Sequence, residues 1–161
     1  MDVSKRQFLR RMRDTVELRP PWLINPSTFT EDCTRCGHCV DSCPEKILCA
    51  GDGGFPLVEF GLGECTFCGE CTTGCEPGLF MQNRAEDHPA WHHKASVSDR
   101  CLTNLGVMCR SCEDACEPRA LRFPLVVGAV PGPVIDALAC TGCGACVKPC
   151  PEGAISMVSG I

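Results

Sequence analysis

The chain has 161 residues and a mass of 17.3 kDa, the length of one domain or of two very small ones sharing a core. Seventeen cysteines stand against seven Phe, two Trp and no Tyr, so large apolar side chains are too few for an ordinary core and something besides apolar burial must hold the fold together. The net charge of −5 and the pI near 5.3 exclude a basic nucleic-acid-binding surface of the usual kind, and no run approaches the roughly 18 apolar residues of a membrane span, the longest candidate being residues 125–130.

The acidic balance is uneven. Residues 1–30 carry six Lys/Arg against three Asp/Glu, a net of +3, which leaves −8 on the rest. Ser4 and Gln7 form a capping-box pair. Phe8, Leu9, Met12 and Val16 share one helical face, with Lys5, Arg6, Arg10, Arg11 and Arg13 supplying charge. A basic amphipathic helix is expected over residues 4–18, able to dock on a partner, to make weak contact with a membrane surface, or to pack on the acidic body. Residues 4–9 also resemble a twin-arginine export signal with Lys in place of the first Arg, but the apolar region that export by that route needs is missing. A cytoplasmic location is the expectation, and in that reducing compartment dense cysteines are metal ligands sooner than a disulfide framework.

The body is ruled by four cysteine groups. Cys33, Cys36, Cys39 and Cys43 are followed by Pro44, in the spacing C-x2-C-x2-C-x3-C-P. Residues 47–50 then read as a short strand, 51–54 as a turn and 55–60 as the return strand. Cys65, Cys68, Cys71 and Cys75 repeat the spacing. A polar stretch, 82–100, comes next with Trp91, His88, His92 and His93, and is expected to link two halves, Trp91 packing against one of them and the adjacent histidines facing solvent. The third group is Cys101, Cys109, Cys112 and Cys116, its first interval stretched to seven residues. Strands are expected at 120–130 and 134–138, and Cys140, Cys143, Cys146 and Cys150 with Pro151 close the series.

The spacing has a physical reason. Three thiolates two residues apart wrap one face of an iron–sulfur cubane, and in two-cluster ferredoxins the last cysteine of each run ligates the other cluster. One repeat cannot complete its own site, two can, and four make two such pairs. If adjacent repeats pair, Cys33, Cys36 and Cys39 join Cys75, and Cys65, Cys68 and Cys71 join Cys43. In the second half, Cys101, Cys109 and Cys112 join Cys150, and Cys140, Cys143 and Cys146 join Cys116. A nested arrangement uses the same sixteen cysteines; the near-equal offsets within each half favour adjacent pairing. Structural zinc sites instead show two separated C-x2-C pairs. Four [4Fe–4S] clusters are the expectation. The third run is the candidate for lability, because its longer first interval defines Cys101 less tightly.

The fold class expected is α+β, with two ferredoxin-like two-cluster units in tandem preceded by the basic helix. The boundaries are 1–30 for the helix and its Pro-rich connector, 31–81 for the first unit, 82–100 for the linker and 101–161 for the second unit. Cys49 lies outside every run and reads as a small buried hydrophobe sooner than as a spare ligand. His38, inside the first run, reads as an exposed loop residue sooner than as a group tuning a cluster. No catalytic triad, acid–base pair or phosphate loop is evident, so no enzyme activity is expected.

Pro20-Pro21-Trp22, Cys33-Thr34-Arg35-Cys36, Gly51-Asp52-Gly53-Gly54-Phe55-Pro56, Glu64-Cys65-Thr66-Phe67-Cys68, Cys109-Arg110-Ser111-Cys112, Asp114-Ala115-Cys116-Glu117 and Cys140-Thr141-Gly142-Cys143-Gly144-Ala145-Cys146 together resemble the NapF family, ferredoxin-type accessory proteins of bacterial periplasmic nitrate reductase systems. The stretched interval from Cys101 to Cys109 and the Arg-Pro-Pro-Trp segment are the more specific signature. Cys75 is followed by Glu76-Pro77 where a proline often comes first, a departure expected to alter the local turn without removing a ligand. The resemblance implies a cytoplasmic protein that contacts the catalytic molybdenum subunit of the nitrate reductase as a precursor and helps load or reduce that subunit's own cluster before export. The competing expectation is a polyferredoxin relaying electrons to a redox enzyme.

Overall fold

The fold is described from a computed structural model that covers residues 17–81 and 89–159. The helix expected over 4–18, with Lys5, Arg6, Arg10, Arg11 and Arg13, lies outside the described residues except for Glu17 and Leu18, and these two are not helical. The non-helical backbone continues through Arg19 and Pro20, each of which precedes a proline that disfavours helical backbone there.

Residues 18–24 form a strap built into the core. The Leu18 carbonyl accepts from the Val58 amide at 2.7 Å, and the Ile24 amide donates to the Leu79 carbonyl at 3.0 Å. The Trp22 amide donates to the Ala90 carbonyl at 2.7 Å, and the Trp22 carbonyl accepts from the Met81 amide at 2.9 Å. Leu18, Trp22, Leu23 and Phe29 are all buried, so the Pro-rich connector also supplies packing.

The regular elements are short, as expected where loops must wrap compact sites. Among the described residues, α-helix occurs only as single turns: α1 (Phe29–Asp32), α2 (His38–Asp41), α3 (Glu70–Thr73) and α4 (Ser111–Asp114). Strands β1 (Leu48–Ala50) and β2 (Pro56–Val58) pair antiparallel with Leu48 opposite Val58. The turn expected between them is a 3-10 turn at Asp52–Gly54 in which Gly53 takes a φ of 68°. Arg35 from the first cysteine run lies over the Phe55 ring at 5.3 Å.

The second hairpin is shorter than the strands expected over 120–130 and 134–138. Only β4 (Leu121–Arg122) and β5 (Val134–Ile135) pair there. Pro124 offers no amide, Gly128 turns at a φ of +78°, and Leu125 and Val127 are 92% and 103% exposed with nothing to pack against.

A third pairing lies beyond the sequence expectation. Strand β3 (His93–Val97), from within the expected linker, runs antiparallel to the C-terminal β6 (Ile155–Ser159), with Ala95 opposite Met157. Strand β6 alternates as a half-buried strand should, and its two inward residues serve different neighbours. Met157 joins the core built on the strap, the first hairpin, Phe60, Phe80 and Trp91, whereas Ile155 joins a second core with Cys112, Leu121, Phe123 and Cys146. Among the described residues no helix is long and apolar enough to cross a membrane.

Candidate metal centres

The cysteine runs share backbone devices. Two residues after the first cysteine, Arg35, Phe67 and Gly142 adopt left-handed φ of 59°, 55° and 81° in the first, second and fourth runs. A left-handed residue turns the chain back within a few atoms, so the next cysteine comes round the same hollow. For Arg35 and Phe67 it is also a strained state, one that persists only where the surroundings demand it. Behind it the Val40, Thr72 and Val147 amides close on the carbonyls of Gly37, Gly69 and Gly144 at 2.9, 3.0 and 2.9 Å.

The fourth cysteines have a second device, common to all four runs. The residue three positions on donates its amide to the cysteine carbonyl: Lys46 to Cys43 at 3.2 Å, Gly78 to Cys75 at 3.0 Å, Arg119 to Cys116 at 2.9 Å and Gly153 to Cys150 at 3.2 Å. All four are left-handed, with φ of 54°, 68°, 52° and 53°. The turn after Cys75 is thus like the others, and the altered turn expected from Glu76-Pro77 is not found. Proline at either central position of such a turn leaves the closing amide free.

The stretched interval of the third run is folded, not slack. Leu102–Leu105 forms a 3-10 turn, the Asn104 amide closes on the Cys101 carbonyl at 2.9 Å, and buried Thr103 places its hydroxyl 3.2 Å from the Cys101 sulfur.

The thiols collect in groups. One hollow is lined by Cys33, Cys36, Cys39 and Cys75, a second by Cys101, Cys109, Cys112 and Cys150, and a third by Cys116, Cys140, Cys143 and Cys146. The remaining group shows in the electrostatics: burial pushes Cys71 up to about 12, and nearby Cys65, Cys39, Cys43 and Cys68 add to the rise. Burial likewise holds Cys39 at about 11, Cys65 at about 11, Cys112 at about 11 and Cys146 at about 12. Crowded, desolvated thiols resist ionisation until positive charge arrives to share. Among the described residues no three thiols, imidazoles or carboxylates converge closely enough to hold a single ion. Soft donors spread around a hollow suit a polynuclear iron–sulfur cluster, and tetrahedral zinc far less.

Cys49 sits in β1 opposite Leu57, half-buried, its thiol raised by burial and then by Glu59, and it lines none of the three hollows. His38 is exposed, with Nδ1 3.1 Å from the Gly74 carbonyl. His92 faces solvent, but His93 does not: it is half-buried in β3 and burial lowers its basicity, followed by the charge of His92.

Trp91 packs as expected, but against both cysteine-rich parts of the chain and not against one. Trp91 is buried edge-on against Phe60 at 5.7 Å and Phe67 at 6.3 Å. A Cβ at Gly142 would come within 2.6 Å of the Trp91 indole nitrogen and of the His93 carbonyl, and one at Gly144 would run into the Phe60 ring. The second and fourth runs therefore meet directly, and the Cys65 amide donates to the Cys143 carbonyl at 2.8 Å. Lysines fasten the rim, Lys148 to the Leu62 carbonyl at 2.9 Å and Lys94 to the Cys140 carbonyl at 2.5 Å. The one signal for this joint in the sequence is the lone Trp in a polar stretch.

Known proteins agree with this chemistry. Family models described as 4Fe-4S binding domains match residues 33–47 and 133–156. The chain is 43% identical to the ferredoxin-type protein NapF of Haemophilus influenzae and 37% identical to that of Escherichia coli K12, in each case over 97% of this chain and 94% of the relative. It is 31% identical to the ferredoxin-type protein NapG of Escherichia coli K12, over 84% of this chain and 66% of that protein.

Proposed function

The chain belongs to the NapF family of ferredoxin-type proteins, and from that premise we propose that it is a cytoplasmic protein holding four [4Fe–4S] clusters in two ferredoxin-like units. Its role is to help mature the catalytic molybdenum subunit of periplasmic nitrate reductase in its precursor form, by loading or reducing that subunit's cluster before export. It is a ferredoxin-type iron–sulfur protein and not an enzyme.

The ligand sets follow the groups of thiols. Cys33, Cys36, Cys39 and Cys75 hold the first cluster, and Cys65, Cys68, Cys71 and Cys43 the second. Cys101, Cys109, Cys112 and Cys150 hold the third, and Cys140, Cys143, Cys146 and Cys116 the fourth. When bound, such a cluster supplies a one-electron carrier and a unit that can itself be passed on. The protein's part is to fix the thiolates and to tune them. The Arg35 amide lies 3.4 Å from the Cys33 sulfur and the Ala154 amide 3.2 Å from the Cys150 sulfur, and amide donors to sulfur stabilise the more negative, reduced state. The basic head, Lys5, Arg6, Arg10, Arg11 and Arg13, is the proposed grip on the partner.

The partner comes from the family; the manner of action comes from exposure. Cys36 and Cys68 are exposed, one at each site of the first half, whereas every cysteine of the third and fourth runs is at least half-buried. An exposed ligand is one that a partner's thiolate can replace, so the first half is the proposed donor end. The test is to reconstitute the protein anaerobically with labelled iron, mix it with cluster-free catalytic precursor, separate the two and count. Label recovered in the partner as an intact cluster is the expected result. Label retained here while the partner is reduced favours a relay, a second reading that the direct contact between the second and fourth runs supports.

A further inference from the structure

The two halves meet where two proposed ligand residues touch. The Cys65 amide donates to the Cys143 carbonyl at 2.8 Å. From sulfur to sulfur this path runs through the side chain and backbone of Cys143, one hydrogen bond, and the backbone and side chain of Cys65, with no gap in it. Three contacts keep it closed: Phe60 against Gly144, Trp91 against Gly142, and Lys148 on the Leu62 carbonyl. Among the described residues the first and third groups of thiols share no such backbone bond. Each abuts its own half, Cys39 beside Cys71 in one case and Cys112 in the second core with Ile155 in the other.

We infer that the hydrogen bond from Cys65 to Cys143 couples the second and fourth sites electronically, so that the chain is a single conduit in the order first, second, fourth, third, with its two ends at the first and third sites. This rests on the four-cluster reading above and adds the order and the crossing point. The step is the passage of one electron from a reduced second site to an oxidised fourth site or back; no bond forms or breaks, and a one-electron reductant supplies the equivalent. Chain order alone predicts a different crossing, from the second site to the third. The fold departs from it because β6 returns to β3 and carries the fourth run, not the third, to the interface.

The test uses the full chain carrying Cys36→Ser and Cys109→Ser, which impair the first and third sites, loaded anaerobically and reduced with a europium(II) chelate. Electron paramagnetic resonance then counts spin-half centres and shows whether they interact. Two centres per chain with split, fast-relaxing signals are expected. Two centres that add as independent signals would overturn the coupling and leave the four-cluster reading intact. Fewer than two overturn that reading and the inference with it. Adding Trp91→Ala, which lies outside the cysteine runs and removes the ring seated against Gly142 and Phe60, is expected to abolish the splitting while the spin count holds. Splitting that survives in a variant with full spin count contradicts the assignment of the joint. If that variant fails to load, the signals of the chain without it decide the matter alone.

Discussion

His38 Nδ1 lies 3.1 Å from the carbonyl of Gly74, the residue before Cys75. A carbonyl can only accept, so the ring nitrogen carries the proton, and a residue inside the first cysteine run thereby holds the last cysteine of the second run beside it. With burial and the Cys33, Cys36 and Cys75 thiols all raising Cys39, the first hollow is walled by thiols of two adjacent repeats.

Shared sites give non-additive losses. Cys36→Ala and Cys75→Ala are each expected to remove about four irons, and the double variant also about four, because both act on one cluster. Were the outer and inner repeats paired instead, the double variant would lose about eight. Iron analysis of the three variants decides.

Cys49→Ser leaves iron content unchanged. Its side chain is half-buried in β1 opposite Leu57 and lines none of the three hollows described above, so the cost is a partial burial of one hydroxyl, about 1 kcal/mol at most. A drop of about four irons would make Cys49 a ligand.

Loading releases protons. Burial, together with neighbouring thiols, holds Cys39, Cys65 and Cys112 at about 11 and Cys71 and Cys146 at about 12, against an ordinary 9.0. At neutral pH these groups are therefore protonated without metal and deprotonated with it, so rising pH favours the loaded form. Cluster loss to a chelator, followed by bleaching of the visible absorbance, is expected to quicken steadily as pH falls from about 8 to about 6. A pH-independent rate contradicts the assignment of these thiols as ligands.

Gly142→Ala and Gly37→Ala separate packing from strain. Both glycines take a φ of +81°, but a Cβ at Gly37 meets nothing within 4 Å whereas one at Gly142 strikes Trp91 and His93 at 2.6 Å. The change at Gly37 costs about 1 kcal/mol of backbone strain and the change at Gly142 about 1–3 kcal/mol more. Chemical denaturation of the loaded proteins measures the difference, and equal losses would mean that Trp91 is not seated against the fourth run.

Local features are legible in the sequence and distant ones are not. The cysteine spacing and the 47–60 hairpin depend on neighbours along the chain, and residues 51–54 announce their turn. The pairing of β3 with β6 joins residues some sixty positions apart, and nothing within residues 93–97 distinguishes a strand from a polar linker until Met157 and Ile155 supply its partner. Trp91, alone in a polar stretch, bridges Phe67 in the second run and Gly142 in the fourth, a role that depends on residues far from it in both directions. The left-handed turn after each fourth cysteine is within reach of the sequence: each is written as a proline and a glutamate in one order or the other, and the order at Cys75 makes no difference to the turn.

The most direct measurement is the iron and acid-labile sulfide content of the full chain purified without oxygen, with Mössbauer spectroscopy to identify the clusters. About sixteen of each per chain, all in [4Fe–4S] form, is the result predicted by sixteen cysteines in four groups. About eight of each, or thiols occupied by zinc, would contradict it.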